Sequence, residues 1–246
     1  MKIKFPTHYE MSYPKENKKY YNEGNKAEIR DRLYNISKGY CMYCGNKIKI
    51  NNREYGQVEH SVERSQGGQK IKYLTHCKFN MSIVCSNCNN SLKKKNILPI
   101  TVDSDYECYE KCEKICKEYS KNYKEHINKN RIILMPYGIK CKDIDEFYEI
   151  DYNLLRLLFT PAKKDIYNSN DIDIIRNHIE RFGLNSSKTM PIQILEVCED
   201  VLRNGCIPLK GRYDNVIADI FIDYLNGIIK ENVIKLCEII LIVSSI

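Results

Sequence analysis

The sequence predicts an α+β chain: a small strand–strand–helix unit stapled by a four-cysteine zinc site, followed by a mostly α-helical C-terminal region. Three observations predict it. Two Cys-x-x-Cys pairs, Cys41/Cys44 and Cys85/Cys88, bracket two short β-prone runs and precede a lysine-rich helical segment. Beyond Pro99 the texture changes to apolar residues at helical spacing. At 246 residues the chain is long enough to bury a core, as one large domain or two small ones. The expected division is an N-terminal arm at 1–24, a core at 25–100 and a helical region at 101–246.

Residues 1–24 are polar and rich in Tyr and Lys, with Pro6, Pro14 and Gly24. They predict irregular structure packed loosely on the body, or an arm reaching toward nucleic acid. A helix is expected from Asn25, with Glu28 completing a capping box and Ile29, Leu33 and Ile36 on one face. Gly39 suits its C-terminal turn. Cys41, Cys44 and Gly45 form a zinc knuckle, because glycine permits the tight turn that aims two sulfurs at one metal. Lys47–Ile50 alternates as a strand, Asn51-Asn52 is a turn, and Gln57–Ser61 is a second strand ending at the Gly67-Gly68 loop. Ile83-Val84 leads into Cys85, and Cys88 opens a helix through Leu92 and three lysines.

Further on, 103–130 carries Tyr106, Tyr109, Cys112, Ile115, Cys116 and Tyr119 at helical spacing. Arg131–Met135 is a β-branched run stopped by Pro136 and Gly138, which predicts a strand. Residues 144–160 predict a strand or hairpin. Helices are expected at 171–182, 190–203, 214–226 and 228–243, broken at Gly183, Gly205–Pro208 and Gly227. The closing Ile-Ile-Leu-Ile-Val run is a core helix end or an exposed docking patch, and burial is the expectation because such runs are usually interior.

Charge is unevenly spread. Residues 1–100 carry 19 Lys and Arg against 8 Asp and Glu, whereas 101–246 carry 20 against 24. A basic first part next to an acidic second part suggests one face for phosphate and another for a different partner. The start, Met1 to Pro6, has no apolar signal-peptide core, and no window reaches the roughly 18 apolar residues of a membrane span. The 12 cysteines are therefore expected reduced, in a cytoplasmic protein, with close pairs as metal ligands rather than disulfides.

Four thiolates from Cys41, Cys44, Cys85 and Cys88 complete a closed tetrahedral zinc site that leaves no position for water, so the metal is structural. An iron–sulfur cluster is the rival occupant. Between the staples, His60 is suited to general-base work near neutral pH. Glu59 precedes it, and Asn89 in the first turn after Cys88 offers an amide oxygen. Carboxylate, amide oxygen and waters suit Mg²⁺ or Mn²⁺. Neighbours on a strand point to opposite faces, so a bend would be needed for Glu59 and His60 to share a substrate. Arg64, Lys93, Lys94 and Lys95 are candidate phosphate contacts, with Arg64 nearest the base. Cys108, Cys112 and Cys116, every four residues on an expected helix, are small core residues or part of a second metal site. Cys141, Cys198, Cys206 and Cys237 are expected in the core.

This set of residues resembles the HNH (ββα-metal) endonucleases, in the form with two zinc knuckles. Glu59-His60, Ser65, Gly67-Gly68, Asn80, Cys85, Cys88 and Asn89 stand in register with that pattern over about 55 residues. The resemblance implies a DNA endonuclease, with His60 as base, Glu59 and Asn89 holding the catalytic metal, and Asn80 tying down the loop or orienting His60. RNA as substrate, or a non-catalytic zinc-ribbon binding module, are the alternatives. The sequence departs from the pattern at Glu59 (usually Asp), at Glu63 (usually Pro) and at Leu92, where Lys is common and here comes next, at Lys93. A weaker likeness carries further: Cys-x-Tyr-Cys, Val-Glu-His and, later, Ile175-x-x-His178-x-Glu-Arg-Phe-Gly-Leu-Asn185 resemble the Septu-type and retron-associated anti-phage HNH nucleases. That likeness implies an SMC-like ATPase as partner, docked on the acidic helical part.

Overall fold

A computed structural model describes residues 1–16, 18–106, 113–141, 146–162, 165–186 and 189–245. The chain is mixed α and β. Its first element, β1 (Lys2–Phe5), is not an irregular arm. It forms the edge of a three-stranded antiparallel sheet with β8 (Ile150–Asn153) and β9 (Leu158–Pro161), strands from beyond the middle of the sequence. Ile3 and Phe5 point into the core, while Lys2 and Lys4 pair across to Asp151 and Glu149, each at 2.8 Å. Alternation over so few residues is a weak signal, and the partner strand lies some 150 residues away.

Helix α1 (Glu23–Ile36) buries Ile29, Leu33 and Tyr34. It starts two residues before the expected Asn25. The Asn22 carbonyl closes the first turn by accepting from Asn25 and Lys26 backbone N–H groups, so the capping box is not used. Instead Glu28 pairs with Arg32. The pairs β2 (Lys49–Ile50) with β3 (Arg53–Glu54), and β5 (Ser65–Gln66) with β6 (Gln69–Lys70), are tight hairpins. Asn51 and Asn52 turn the first with φ of 48° and 61°, values asparagine tolerates well. Between them lies β4 (Gln57–His60), whose antiparallel partner is β7 (Met81–Val84), reached through α2 (Lys72–His76). A single wide helical turn, Cys88–Leu92, follows β7; it does not continue as a helix through the lysines.

Helix α3 covers only Lys117–Asn130. Cys116 is its extended N-cap, its sulfur accepting from the Tyr119 N–H, so it does not sit on a helix face. Cys108 and Cys112 lie outside the described residues. Arg131 ends the helix in the left-handed region, and 131–135 is not a strand. Ile132 to Met135 are fully buried, which explains their apolar character. Side chains take up some of their backbone groups in place of a partner strand: Tyr123 donates to the Leu134 carbonyl and Ser61 to that of Met135. The expected 144–160 hairpin is present as β8 (Ile150–Asn153) and β9 (Leu158–Pro161).

The four C-terminal helices are α4 (Ser169–Arg181), α5 (Thr189–Asn204), α6 (Val216–Asn226) and α7 (Lys230–Ser244). Asn168 and Asp171 make the capping box that starts α4. The terminal apolar run is not the core segment expected: one of its five residues is buried and three are exposed. Ile240 is buried against the bundle, but Ile239, Ile242 and Val243 are exposed, because α7 meets the bundle, chiefly α5, along one stripe. Cys206 is likewise exposed, unlike Cys141, Cys198 and Cys237. Among the described residues no helix is long and apolar enough to cross a membrane.

The knuckle is stitched to the C-terminal helices rather than standing apart. Gly45 sits at φ +72°, and a Cβ there would lie 2.7 Å from Val216 and 2.9 Å from Phe5. Its carbonyl accepts from Val216 N–H, and Tyr40 donates to Asp219 at 2.7 Å.

Candidate active site and metal centre

The four cysteine sulfurs converge. Cys41, Cys44, Cys85 and Cys88 offer ligand atoms that all lie within 4.8 Å of one another, with Cys44 and Cys85 sulfurs 3.8 Å apart. A tetrahedral zinc with Zn–S near 2.3 Å requires sulfurs about 3.8 Å apart, so the donor set fits a metal ion such as zinc. The geometry follows from local sequence. Gly45 N–H returns to the Cys41 carbonyl, and Cys88 N–H points at the Cys85 sulfur. No other group of three or more Cys, His, Asp or Glu able to hold a metal occurs among the described residues.

The antiparallel β4–β7 pair joins the two staples, and β4 carries Glu59 and His60 on opposite faces. His60 is buried, with its ring 4.4 Å from that of Tyr21. Its Nε2 lies 3.0 Å from the Thr75 carbonyl. A carbonyl only accepts, so Nε2 carries the proton and Nδ1 carries the lone pair. Burial pushes the imidazole pKa down to about 4, helped by the charges of Arg64 and Lys93 and opposed by the Thr75 bond. His60 is therefore neutral at physiological pH, with one nitrogen pinned and the other able to take a proton.

Asn80 fixes the frame around that histidine. Fully buried, it accepts from Val62 N–H at 2.7 Å and Tyr119 hydroxyl at 3.1 Å, and donates to Val62 and Leu74 carbonyls at 2.9 and 2.8 Å. Leu74 adjoins Thr75, whose carbonyl holds His60, and Val62 follows two residues after His60. The structure thus brings Asn80 and His60 into one assembly. Arg64 belongs to it as well, with its guanidinium 5.0 Å over the Tyr21 ring. Lys26 approaches the same ring at 4.5 Å. Tyr21, contributed from outside the motif, was not singled out by sequence, and neither was Thr75, which acts through its backbone. Exposed Lys19, Lys70 and Lys72 lie close enough, with Arg64, to help burial lower the pKa of His76.

Glu59 faces the other way and is closed. Its carboxylate accepts from Ser82 and is ion-paired with the Lys93 ammonium. Lys93 is fully buried and also donates to the His60 carbonyl at 2.5 Å and to Glu63 at 3.0 Å. This corrects the expectation that Lys93 contacts phosphate; Lys94 and Lys95 remain exposed. Burial alone would lower the Lys93 pKa, but Glu59 and Glu63 outweigh it and hold the ammonium charged. Burial likewise opposes ionisation of Glu63, yet Lys93 keeps that carboxyl below the usual range. On Glu59 burial wins and raises the carboxyl. The sequence departures at Glu63 and Lys93 are thus a single interaction.

Asn89 does not join Glu59. Its amide donates to Gln57 Oε1 at 2.9 Å. The expected Mg²⁺ or Mn²⁺ ligand pair, Glu59 with Asn89, therefore does not fit a divalent ion in this arrangement: the Glu59 carboxylate already holds the Lys93 ammonium, and the Asn89 side chain is joined through its amide nitrogen to Gln57 rather than set beside Glu59.

The later motif has a structural account. Phe182 stacks on Tyr43, inside the first knuckle, at 4.4 Å and 11°. His178 lies 6.1 Å from the same ring. Arg181 donates to the carbonyls of Lys93 and Lys95, and Asn185 pairs with both backbone groups of Phe159 in β9. One turn of α4 and its tail thereby tie together knuckle, lysine loop and sheet. Compared with known proteins, the chain matches no family model, no curated protein and no solved structure.

Proposed function

We propose that the chain is a phosphodiesterase acting on nucleic acid, an HNH-type endonuclease whose zinc clamp holds His60 as general base. The observation that carries this reading is the neutral, one-sidedly pinned imidazole of His60, set beside Arg64 in a frame laced by Asn80. The sequence resemblance supplies the reaction class and favours DNA. In the proposed step, His60 Nδ1 takes a proton from water and the oxygen attacks phosphorus. Arg64 lies against the charge that develops there, and the 3′ oxygen leaves with a proton from solvent. No step passes through a divalent metal. On the weaker resemblance the nuclease works in an anti-phage complex with an SMC-like ATPase, for which the exposed isoleucines of α7 offer a surface.

The test is cleavage of supercoiled plasmid and of total RNA by zinc-loaded protein, with and without Mg²⁺ or Mn²⁺. His60→Ala should lower cleavage by at least about 100-fold while leaving the circular dichroism spectrum unchanged. Cleavage of RNA alone would move the substrate; full activity in His60→Ala would remove the base assignment. A second reading, a zinc-clamped binding module without catalysis, is favoured by the closure of Glu59 by Lys93 and by the 7% exposure of His60. It predicts nucleic-acid binding with no cleavage under any of these conditions.

A further inference from the structure

The sequence pattern assigns a divalent cation to Glu59, and the structure puts a different cation there. The Lys93 ammonium lies among the carboxylates of Glu59 and Glu63 and the carbonyl of His60, fully removed from solvent. The His60 carbonyl and Glu63 accept hydrogen bonds from the ammonium, and Glu59 Oε1 is its ion-pair partner. The remaining Glu59 oxygen accepts from Ser82, its cross-strand partner in the β4–β7 register. Both carboxylate oxygens are thus engaged. Two elements hold the lysine in place: the helical turn Cys88–Leu92, whose Cys88 carbonyl accepts the Lys93 N–H, and Arg181, which donates to the Lys93 carbonyl.

We infer that Lys93 is the resident cation of this site: its ammonium takes the carboxylate that a divalent metal would otherwise use, so the native protein binds no Mg²⁺ or Mn²⁺ at Glu59. A divalent ion entering here would have to expel a buried ammonium and leave Lys93 without its partners in a dry interior, an exchange the protein opposes. Lys93 is a positioning residue in this scheme. It neutralises Glu59 and holds the His60 main chain, and it touches no substrate. The inference concerns cation occupancy alone and stands whether or not the nuclease reading holds.

The measurement is Mn²⁺ titration of the zinc-loaded full chain, followed by electron paramagnetic resonance of free and bound Mn²⁺. Wild type should show no saturable site up to about 1 mM. A stoichiometric site in wild type that Glu59→Gln abolishes overturns the inference. Lys93→Ser opens the carboxylates and should bind one Mn²⁺ at least about tenfold more tightly than wild type, a gain that a merely structural lysine would not produce. A folded Lys93→Ser with no such gain shows that something else closes Glu59, and also overturns it. If that variant does not fold, the wild-type titration with Glu59→Gln decides alone. Cleavage is not read in this experiment, so failure of the nuclease reading cannot be mistaken for failure here.

Discussion

Replacing Asn80 by alanine removes four hydrogen bonds at a fully buried position. The Tyr119 hydroxyl keeps its bond to the Phe79 carbonyl, so three backbone groups lose this partner: Val62 N–H, Val62 C=O and Leu74 C=O. At about 1–2 kcal/mol for each buried group left unpaired, the loss is about 3–6 kcal/mol. That is a large share of the 5–15 kcal/mol typical of a whole domain. With a urea dependence of about 3 kcal/mol per M, the unfolding midpoint falls by about 1–2 M. Asn80→Asp separates hydrogen bonding from volume. It keeps the acceptor for Val62 N–H and Tyr119, but at pH 7 it sets carboxylate oxygen against the Val62 and Leu74 carbonyls. It should be at least as unstable as the alanine variant at pH 7 and regain stability as acidification protonates the carboxyl into a donor. Urea unfolding at pH 7 and pH 5 measures both. A midpoint shift below about 0.5 M for Asn80→Ala would refute the assignment of Asn80 as the tie between the two loops.

Three further outcomes are expected. Stability should fall on acidification, because burial holds His60 near pKa 4 and His126 and His178 near 3, all below the unfolded value of 6.5. The unfolded chain then binds more protons, so their contribution is complete above about pH 6.5 and is lost as pH falls toward 4 and 3, by at most about 1.4 kcal/mol per pH unit for each histidine. Unfolding free energies that stay flat from pH 7 to pH 5 would contradict this. Stripping the metal with a chelator should lower Tm; a cost of about 4 kcal/mol corresponds to about 10 °C at this size, and an unchanged Tm after complete removal would deny the cysteine cluster its clamping role. Phe182→Ala removes the ring stacked on Tyr43 and should cost about 3–5 kcal/mol. It should also speed zinc release to a chromogenic chelator, whereas an unaltered release rate would show that α4 does not brace the knuckle.

Much of this molecule could be read from residue order because the signals were local. Two Cys-x-x-Cys pairs carry their own turn geometry, and their sulfurs do converge. The Asn51-Asn52 turn and the breaks between the C-terminal helices rest on residues that act within a few positions of themselves. Asn80 stood out by its place in a pattern, and its four bonds show why an amide, with both donor and acceptor, suits that place. The misreadings share one physical cause. The Arg131–Met135 run has the composition of a strand because Ile132–Met135 are buried on all sides, and composition cannot report whether a neighbouring backbone is there to pair with.

Lys2–Phe5 became a strand only through Ile150–Asn153, far along the chain. The lysines at 93, 94 and 95 are identical in sequence, yet two are exposed and one is buried among carboxylates. Residue order determined the clamp, the strand bearing Glu59 and His60, and the helical second half, because those depend on spacing along a few turns of backbone; the partner of that strand, Met81–Val84, came from the fold. Only the tertiary structure decided that the two neighbours part company, His60 toward Tyr21 and Arg64, Glu59 toward Lys93. A strand sends adjacent side chains to opposite faces, and what waits on each face is set by distant segments folding over it.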